Sequence, residues 1–145
     1  MKSFNIVDVN WKNLMKEIKE IRFQVFVREQ GVPPELEVDG SDPLCLHVLA
    51  EIPGKGFIGT ARLLPDGHIG RVAVLAEYRR KGIGREMVLH LIQLARSLRH
   101  RQVMLNAQES ALEFYSRMGF IQEGDRFFDA GIPHFLMRMD LFAKG

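Results

Sequence analysis

The chain has a single cysteine, no long apolar run and little net charge, and each of these excludes a class of protein. Because Cys45 has no partner, no intrachain disulfide can form, and the chain suits a reducing compartment. Polar residues interrupt the N-terminus and every apolar run, so we expect neither a signal peptide nor a membrane span. The net charge of +2 is too small to indicate a nucleic-acid or anionic-membrane partner. These features predict a cytoplasmic protein with one domain over residues 1–145.

The stretch 71–95 combines a strand, a basic loop and a helix, in that order. Val72–Leu75 is a short apolar run rich in β-branched residues, which is typical of a strand. From Arg85 onward, apolar side chains recur at the spacing of one helical face, at Met87, Val88, Leu91, Ile92, Ala95 and Leu98. The loop between them contains two glycines and three cations, Arg79, Arg80 and Lys81. In this arrangement the start of a helix can bind an anion.

The start of this helix has no side chain that could cap it. Ser, Thr, Asp and Asn are absent between Tyr78 and Arg85, so the first N–H groups lie unpaired at the positive end of the helix dipole. Gly82 and Gly84 allow close backbone approach, and the combination suits phosphate or pyrophosphate. The alternative is a surface turn with solvated cations. A dinucleotide fingerprint is excluded because Met87 replaces its third glycine, and no P-loop is present.

Patterning along the rest of the chain predicts the other elements. We expect strands over residues 3–9, 44–52, 57–64, 68–75, 103–107, 120–128 and 134–141. Helices are expected over 11–30, with Asn10 as cap, and from Ser110 to Gly119, with Ser110 and Glu113 as a capping box. The strands within 44–75 should form an antiparallel meander. The strand at 103–107 must run parallel to strand 68–75 if the helix between them is a right-handed crossover.

Residues 31–43 combine prolines with acids, a composition typical of a loop. The acids are Glu35, Glu37, Asp39 and Asp42. A solvated surface is the favoured interpretation, and recognition of a cationic amine is the alternative. Just upstream, residues 25–27 indicate core packing, whereas a substrate pocket lined by Phe26 or Val27 is the alternative.

Two segments of the chain resemble a known family. Arg79-Arg80-Lys81-Gly82-Ile83-Gly84 resembles the Arg/Gln-x-x-Gly-x-Gly/Ala signature of the GCN5-related N-acetyltransferases, and Arg71-Val72-Ala73-Val74 resembles the strand before it. Phe114-Tyr115-Ser116-Arg117-Met118-Gly119-Phe120 is similar to their Phe-Tyr-x-x-x-Gly-Phe segment, and Asn106 lies where their fifth strand ends. The match is good over residues 71–120 and loose over the last strands. The variable first 45 residues resemble a branch of small bacterial members.

The resemblance implies a fold and a cosubstrate. The fold is α/β, a mixed sheet of about seven mostly antiparallel strands with a central parallel pair and helices on both faces. The cosubstrate is acetyl-CoA, with its pyrophosphate on the N–H groups of residues 80–85 and its pantetheine arm along the backbone of Val72 and Val74. The implied cosubstrate-binding residues are Val72, Ala73, Val74, Arg79, Arg80, Lys81, Gly82, Ile83, Gly84, Arg85, Asn106, Phe114 and Tyr115. No residue spacing predicts a metal site.

Acetyl transfer to an amine needs a deprotonated nucleophile, a proton donor for the leaving thiolate and a donor for the developing oxyanion. A backbone N–H of the strand at residues 72–74 can supply the last. The resemblance implies that Tyr115 is the general acid, and simple packing is the alternative. Glu37 and then His47 are the candidate bases, with His134 as a third choice and a water chain as a further possibility. Cys45 is interpreted as a small buried residue, so we expect direct attack in a ternary complex.

Three functions compete at this stage. The leading hypothesis is an acetyl-CoA-dependent N-acetyltransferase that acts on a primary amine of a small molecule or a protein. A non-catalytic acyl-CoA-binding module of the same fold is the first alternative. Nucleic-acid binding through residues 79–81 and 96–101 is disfavoured because no aromatic stacking platform accompanies these clusters. We therefore expect neither nucleic acid nor membrane as partner, and a monomer or a homodimer that uses the edge of the last strand.

Overall fold

The computed structural model describes residues 3–142 and contains two antiparallel sheets. The first has the order β1-β2-β3-β4, with the strands Asn5–Val9, Leu46–Ile52, Gly56–Leu63 and Ile69–Val74. The second has the order β5-β7-β6, with β5 at Gln102–Gln108, β6 at Ile121–Asp129 and β7 at Ile132–Asp140. The helices are α1 Trp11–Arg22, α2 Pro34–Glu37, α3 Ile83–Ser97 and α4 Leu112–Ser116. The predicted α/β class and the antiparallel meander β2-β3-β4 are confirmed.

The two sheets meet where β4 and β5 touch at one end. His68 and Met104 form a parallel bridge, and the Met104 N–H donates to the carbonyl oxygen of Gly67 at 3.1 Å. Beyond this point β4 pairs with β3 and β5 pairs with β7. The predicted central parallel pair is thus reduced to a bridge, and a wedge opens between the carboxyl halves of β4 and β5.

A β-bulge lies in β4 at this wedge. The register of β3 and β4 shifts between Thr60 and Arg62, and Arg71, which lies opposite, has a φ of +50°. Because left-handed backbone is unfavourable for arginine, other contacts must hold it there. The Arg71 guanidinium donates to the carbonyl oxygen and to the carboxylate of Glu37, at 2.9 Å each. A bulge bends its strand, and this one bends β4 next to its divergence from β5.

Helices cover both faces of the first sheet, as predicted. Leu49 of β2 packs with Ile18 and Ile21 of α1, whereas its neighbours Val48 and Ala50 belong to the core under α3. The buried face of α3 consists of Ile83, Met87, Val88, Leu91, Ile92 and Ala95. Leu98 was expected on this face but is 56% exposed, because α3 ends at Ser97.

The helix predicted over residues 11–30 changes character halfway. Asn10 caps α1 as expected, since its Oδ1 accepts the N–H of Lys12 at 2.8 Å. After Arg22 the chain continues as a π-helix, Phe23–Glu29. Such segments often occur at functional sites. None of the helices within residues 3–142 is both long and apolar enough to cross a membrane.

Two predictions for the second half are wrong. α4 follows a 3₁₀ turn, Glu109–Ala111, and has no side-chain cap; Ser110 lies inside the turn, and Glu113 pairs with Arg117 at 2.6 Å instead. The last strand, β7, lies between β5 and β6 and is therefore not an edge. The edge is β6, which is exposed along nearly its whole length.

Candidate active site

The wedge between β4 and β5 forms a cavity of about 570 Å³. Residues 69–72 of β4 line one side, and Leu105, Asn106 and Gln108 of β5 line the other. The end of the π-helix closes part of the cavity, where Gln30 Oε1 accepts a 2.8 Å hydrogen bond from Gln108 Nε2. Phe26 was assigned to the core; it packs against the core cluster and also faces this cavity.

The loop before α3 has the uncapped geometry that the sequence predicts. Gly82 occupies the N-cap position with a φ of +81°, and no side chain caps the helix. A Cβ at Gly82 would meet nothing within 4 Å, so the backbone is open on that side. The side chains of Arg80, Lys81 and Arg85 are exposed. Unpaired backbone donors therefore lie beside exposed cations, an arrangement that suits an anion.

Three elements come together at Gly84. A Cβ placed on this residue would lie 3.7 Å from Val74 Cγ2 and 3.8 Å from Phe114 Cζ. The start of α3 thus lies against both the end of β4 and the helix that contains Tyr115. Ile83, by contrast, turns its side chain into the core, where it is 2% exposed, so its backbone alone is available to a ligand.

Arg79 is engaged in a contact that the sequence did not predict. Its Nη2 donates to Glu29 Oε1 at 2.7 Å, and its Nε donates to the carbonyl oxygen of Val74 at 2.9 Å. The hydrogen bond with Glu29 raises the pKa of Arg79 and lowers that of Glu29. Exposed pairs of this kind add little stability. Arg79 therefore ties the loop to the π-helix, and its guanidinium is already paired rather than open to a phosphate.

The carboxyl half of β4 has a free edge toward the wedge. The N–H of Leu75 donates to the carbonyl oxygen of Ile58 at 2.9 Å, which directs Leu75 toward β3. Backbone groups alternate in direction along a strand, so those of Val72 and Val74 point the other way, into the wedge. The carbonyl oxygen of Val74 already accepts from Arg79 Nε, so the groups of Val72 and the N–H of Val74 are the ones left without a partner in residues 3–142. Ala73 pairs with Thr60 and buries its side chain in the core, and it does not face the wedge.

Tyr115 lines the cavity from α4. Its ring makes edge contacts with Phe114 and Phe120, at centroid distances of 5.0 and 5.9 Å. The hydroxyl group has no hydrogen-bond partner among residues 3–142, yet it is not among the polar atoms sealed from solvent. Desolvation raises the pKa of Tyr115 to about 12, so the phenol keeps its proton at neutral pH. Asn106, also predicted for this site, lines the same cavity.

The two leading candidate bases are held in other interactions. Glu37 lines the cavity, but its Oε2 accepts from Arg22 Nε at 2.8 Å and from Arg71 Nε at 2.9 Å. His47 does not line the cavity; it stacks on Trp11, and its Nε2 lies 2.9 Å from the carbonyl oxygen of Asp42. Burial lowers the pKa of His47, and its Nδ1 is sealed without a partner. His47 therefore presents no basic atom to the cavity, whereas Glu37 is paired with two arginines through Oε2 and keeps Oε1 without a hydrogen bond to residues 3–142.

A buried ion network holds the loop of residues 31–43 against the sheet. Arg22 donates to Glu37 at 2.8 Å and to Asp42 at 2.7 Å, and Arg62 donates to Asp42 at 2.9 Å. Arg22, Glu37 and Asp42 are all at most 5% exposed, so the prediction of solvated acids is wrong for these carboxylates. Burial alone would raise the pKa of Asp42, but Arg22 and then Arg62 hold it below its ordinary value. The hydrogen bond from Arg62 likewise lowers the pKa of Asp39.

This network neutralises the acids that the sequence suggested for a cationic ligand. Three carboxylates line the cavity, and two of them, Glu37 and Asp39, are paired with arginines. The third, Asp129 at the end of β6, has no ion pair within residues 3–142. In the same range, no group of three or more His, Cys, Asp or Glu side chains could hold a metal ion.

Comparison with known proteins identifies the family. The family model described as an acetyltransferase (GNAT) domain matches residues 14–141. The chain belongs to the GNAT acetyltransferases. BSU40680, a Bacillus subtilis protein named as a candidate acetyltransferase, is 37% identical over 127 residues, which are 81% of this chain and 84% of the relative. YjcF, named an uncharacterized N-acetyltransferase of the same organism, is 33% identical over 130 residues, 87% of this chain and 92% of the relative.

A solved GNAT-type structure agrees with the fold. The acyl-CoA N-acyltransferase of Pseudomonas aeruginosa is 29% identical, with a TM-score of 0.83 over 94% of this chain and 99% of that one. Membership in the GNAT family makes this protein an acyltransferase that uses an acyl-CoA donor. In the wedge, the carboxyl half of β4 presents backbone groups that no neighbouring strand pairs.

Sequence reasoning missed the residues that act over long distances. Arg22, Arg62 and Arg71 come from three different elements and meet at carboxylates that are 15 to 34 positions away in sequence. No local pattern marks them, because each lies in an ordinary helix or strand. The one sequence feature that could have indicated the network is the high proportion of acids in residues 31–43. Once that loop is buried, its carboxylates need cationic partners.

Proposed function

We propose that this GNAT protein transfers an acetyl group from acetyl-CoA to a primary amine, by direct attack in a ternary complex. The observation that carries the proposal is the contact of Gly84, at the uncapped start of α3, with Val74 at the end of β4 and with Phe114 of the helix that contains Tyr115. The 79–85 loop would bind the pyrophosphate, through the backbone N–H groups and the cations Arg80, Lys81 and Arg85. Arg79 would position this loop through Glu29.

The β4 edge supports a role in holding the thioester. The backbone groups of Val72 and the N–H of Val74 would pair with the pantetheine arm, as in the addition of a strand to a sheet edge. A backbone N–H of the same edge would stabilise the oxyanion that forms on the acetyl carbonyl. Tyr115, which is neutral at physiological pH, would protonate the departing thiolate.

The acceptor end of the cavity favours an amine of positive charge. Asp129 supplies a carboxylate that has no ion pair within residues 3–142, while Phe26, Leu36 and Ile132 supply apolar surface. An alkylammonium group would pair with the carboxylate and lay its carbon chain on the apolar side. Polyamines, aminoglycosides and lysine side chains share this chemistry.

Steady-state kinetics on an amine panel tests the proposal. The purified chain is incubated with acetyl-CoA and a polyamine, an aminoglycoside or a lysine-containing peptide, and acetylated product is detected by mass spectrometry. For a ternary complex, initial rates at several fixed amine concentrations give intersecting double-reciprocal lines. We expect Cys45→Ser to retain the wild-type rate, because burial raises the pKa of the thiol and no acyl-enzyme is needed.

Two outcomes would contradict the proposed transfer by direct attack. Parallel lines together with an inactive Cys45→Ser variant would indicate an acyl-enzyme on Cys45. Binding of acetyl-CoA without transfer to any amine would instead support a non-catalytic module of the same fold.

A further inference from the structure

We propose that His134 is the general base that deprotonates the acceptor amine, an assignment that rests on the proposed function. His134 lies near the start of β7, where it is opposite Gln108 of β5 and Phe127 of β6. This register puts it beside the wall of the wedge that β5 forms, and its ring lines the same cavity as Tyr115. The candidate acid and this histidine therefore face one space from two different elements.

The hydrogen bond of His134 sets which ring nitrogen is basic. Its Nδ1 lies 2.7 Å from the carbonyl oxygen of Ile132. A carbonyl oxygen can only accept, so Nδ1 carries the proton and donates it. In the neutral ring the lone pair then belongs to Nε2. This is the tautomer that a general base at Nε2 requires.

Nε2 is also free and accessible. It makes no hydrogen bond to residues 3–142, and it is not among the polar atoms that are sealed without a partner. The ring stacks on Phe127, with centroids 5.7 Å apart and planes 23° from parallel, which restricts its rotation. A histidine that is 8% exposed overall, yet open at one nitrogen, has the placement of a positioned base rather than of a solvated side chain.

Most other ionisable groups of the cavity are held in ion pairs. Arg62, Arg71, Glu37 and Asp39 pair with one another, and His68 pairs with Asp66. Tyr115 keeps its proton at neutral pH. Asp129 is exposed, lies in the β6–β7 hairpin that contains His134, and would attract the ammonium form of the amine.

The proton balance follows from these assignments. His134 Nε2 removes one proton from the ammonium and passes it to solvent. The amine nitrogen attacks the acetyl carbonyl carbon, the C–S bond breaks, and Tyr115 protonates the thiolate of CoA. The second proton that the nitrogen loses restores the phenol of Tyr115. An ammonium and acetyl-CoA thus give an amide, CoA thiol and one released proton.

The test uses His134→Asn, because an Asn amide can still donate to the carbonyl oxygen of Ile132 but has no atom at Nε2. We expect kcat/KM for the amine to fall about 100-fold at neutral pH, with Kd for acetyl-CoA unchanged. The variant should also lose the acidic limb of the pH–rate profile that the base contributes. Its rate should then rise with pH only as the free amine fraction rises.

Two further variants serve as comparisons. His134→Gln should show the same loss of rate as His134→Asn. His90→Asn changes a histidine in a different groove and should match the wild type.

A second readout does not depend on turnover. Nitrogen-15 spectra of the imidazole side chains should show a histidine protonated at Nδ1 whose signals disappear in His134→Asn and remain in His90→Asn. An unchanged pH profile and rate in His134→Asn would overturn the role of His134 while the proposed function stands. So would a spectrum in which His134 is protonated at Nε2. If the wild-type chain acetylates no amine of the panel, the proposed function fails and this role fails with it.

Discussion

Replacing Tyr115 with Phe is expected to lower kcat for acetyl transfer by about 100- to 10,000-fold, the range of a lost general acid. The substitution removes one hydroxyl group and keeps the ring contacts with Phe114 and Phe120. Binding of acetyl-CoA should therefore stay close to that of the wild type. Initial rates measured beside a binding titration separate the two effects. Tyr78→Phe removes the hydroxyl of the chain's other tyrosine and serves as the matched control.

The raised pKa of Tyr115 also predicts how the rate depends on pH. The group is neutral when protonated, and its folded pKa of about 12 lies above the ordinary value of 10.0. The acid is therefore present at every pH below about 10, and no basic limb due to Tyr115 should occur in that range. Unaltered kcat in Tyr115→Phe, or equal losses in kcat and in acetyl-CoA affinity, would contradict the role of general acid.

The second large effect concerns stability: Arg22→Ala should reduce the free energy of unfolding by about 3–5 kcal/mol, because it breaks a buried ion network by removing one partner. Two carboxylates, Glu37 and Asp42, would then lose a guanidinium while remaining buried. Urea unfolding followed by circular dichroism measures the change. Arg117→Ala is the control, since both side chains of the Arg117–Glu113 pair are 77% exposed and the pair should contribute under about 1 kcal/mol.

The network also predicts a pH dependence. Asp39 and Asp42 have folded pKa values below their unfolded ones, so their contribution is complete above the unfolded value of 3.8. It is lost as the pH falls below about 4 toward the folded pKa. In Arg22→Ala the free energy of unfolding should decrease less steeply on acidification, because Arg22 is the leading group that lowers the pKa of Asp42. A variant as stable as the wild type, with the same acid sensitivity, would show that the network does not hold the loop.

Much of this molecule follows from local sequence patterns, and the exceptions are instructive. The start of α3 was predictable because the absence of a capping residue and the two glycines are both local features. The bulge at Arg71 was not, since an arginine at a φ of +50° is stabilised by Glu37, which lies 34 positions away. Ser110 and Glu113 satisfy the local rule for a capping box, but a 3₁₀ turn and the pair with Arg117 take precedence.

The same distinction between local and long-range features applies to the residues of the candidate site. Tyr115 stands out through the family signature around it, and its role as the general acid stays a prediction. His134 could not be ranked above Glu37 and His47 from sequence, because all three are isolated polar residues within apolar or acidic surroundings. Their partners separate them: Glu37 pairs with two arginines, His47 has its Nδ1 sealed, and Nε2 of His134 has no hydrogen bond to residues 3–142 and is not sealed.

The most direct test of the central claim is a calorimetric titration with acetyl-CoA of the wild-type chain and of Gly84→Glu, Gly84→Gln and Gln93→Glu. Glu and Gln have the same shape, so the difference in Kd between the two position-84 variants reports the effect of a negative charge beside the pyrophosphate. Gln93→Glu adds the same charge on the exposed face of α3. We expect the wild type and Gln93→Glu to bind alike, Gly84→Gln to bind more weakly, and Gly84→Glu to be at least about tenfold weaker still, or ~1.4 kcal/mol. Absence of binding by the wild type, or equal binding by all four proteins, would show that acetyl-CoA is not held at the start of α3.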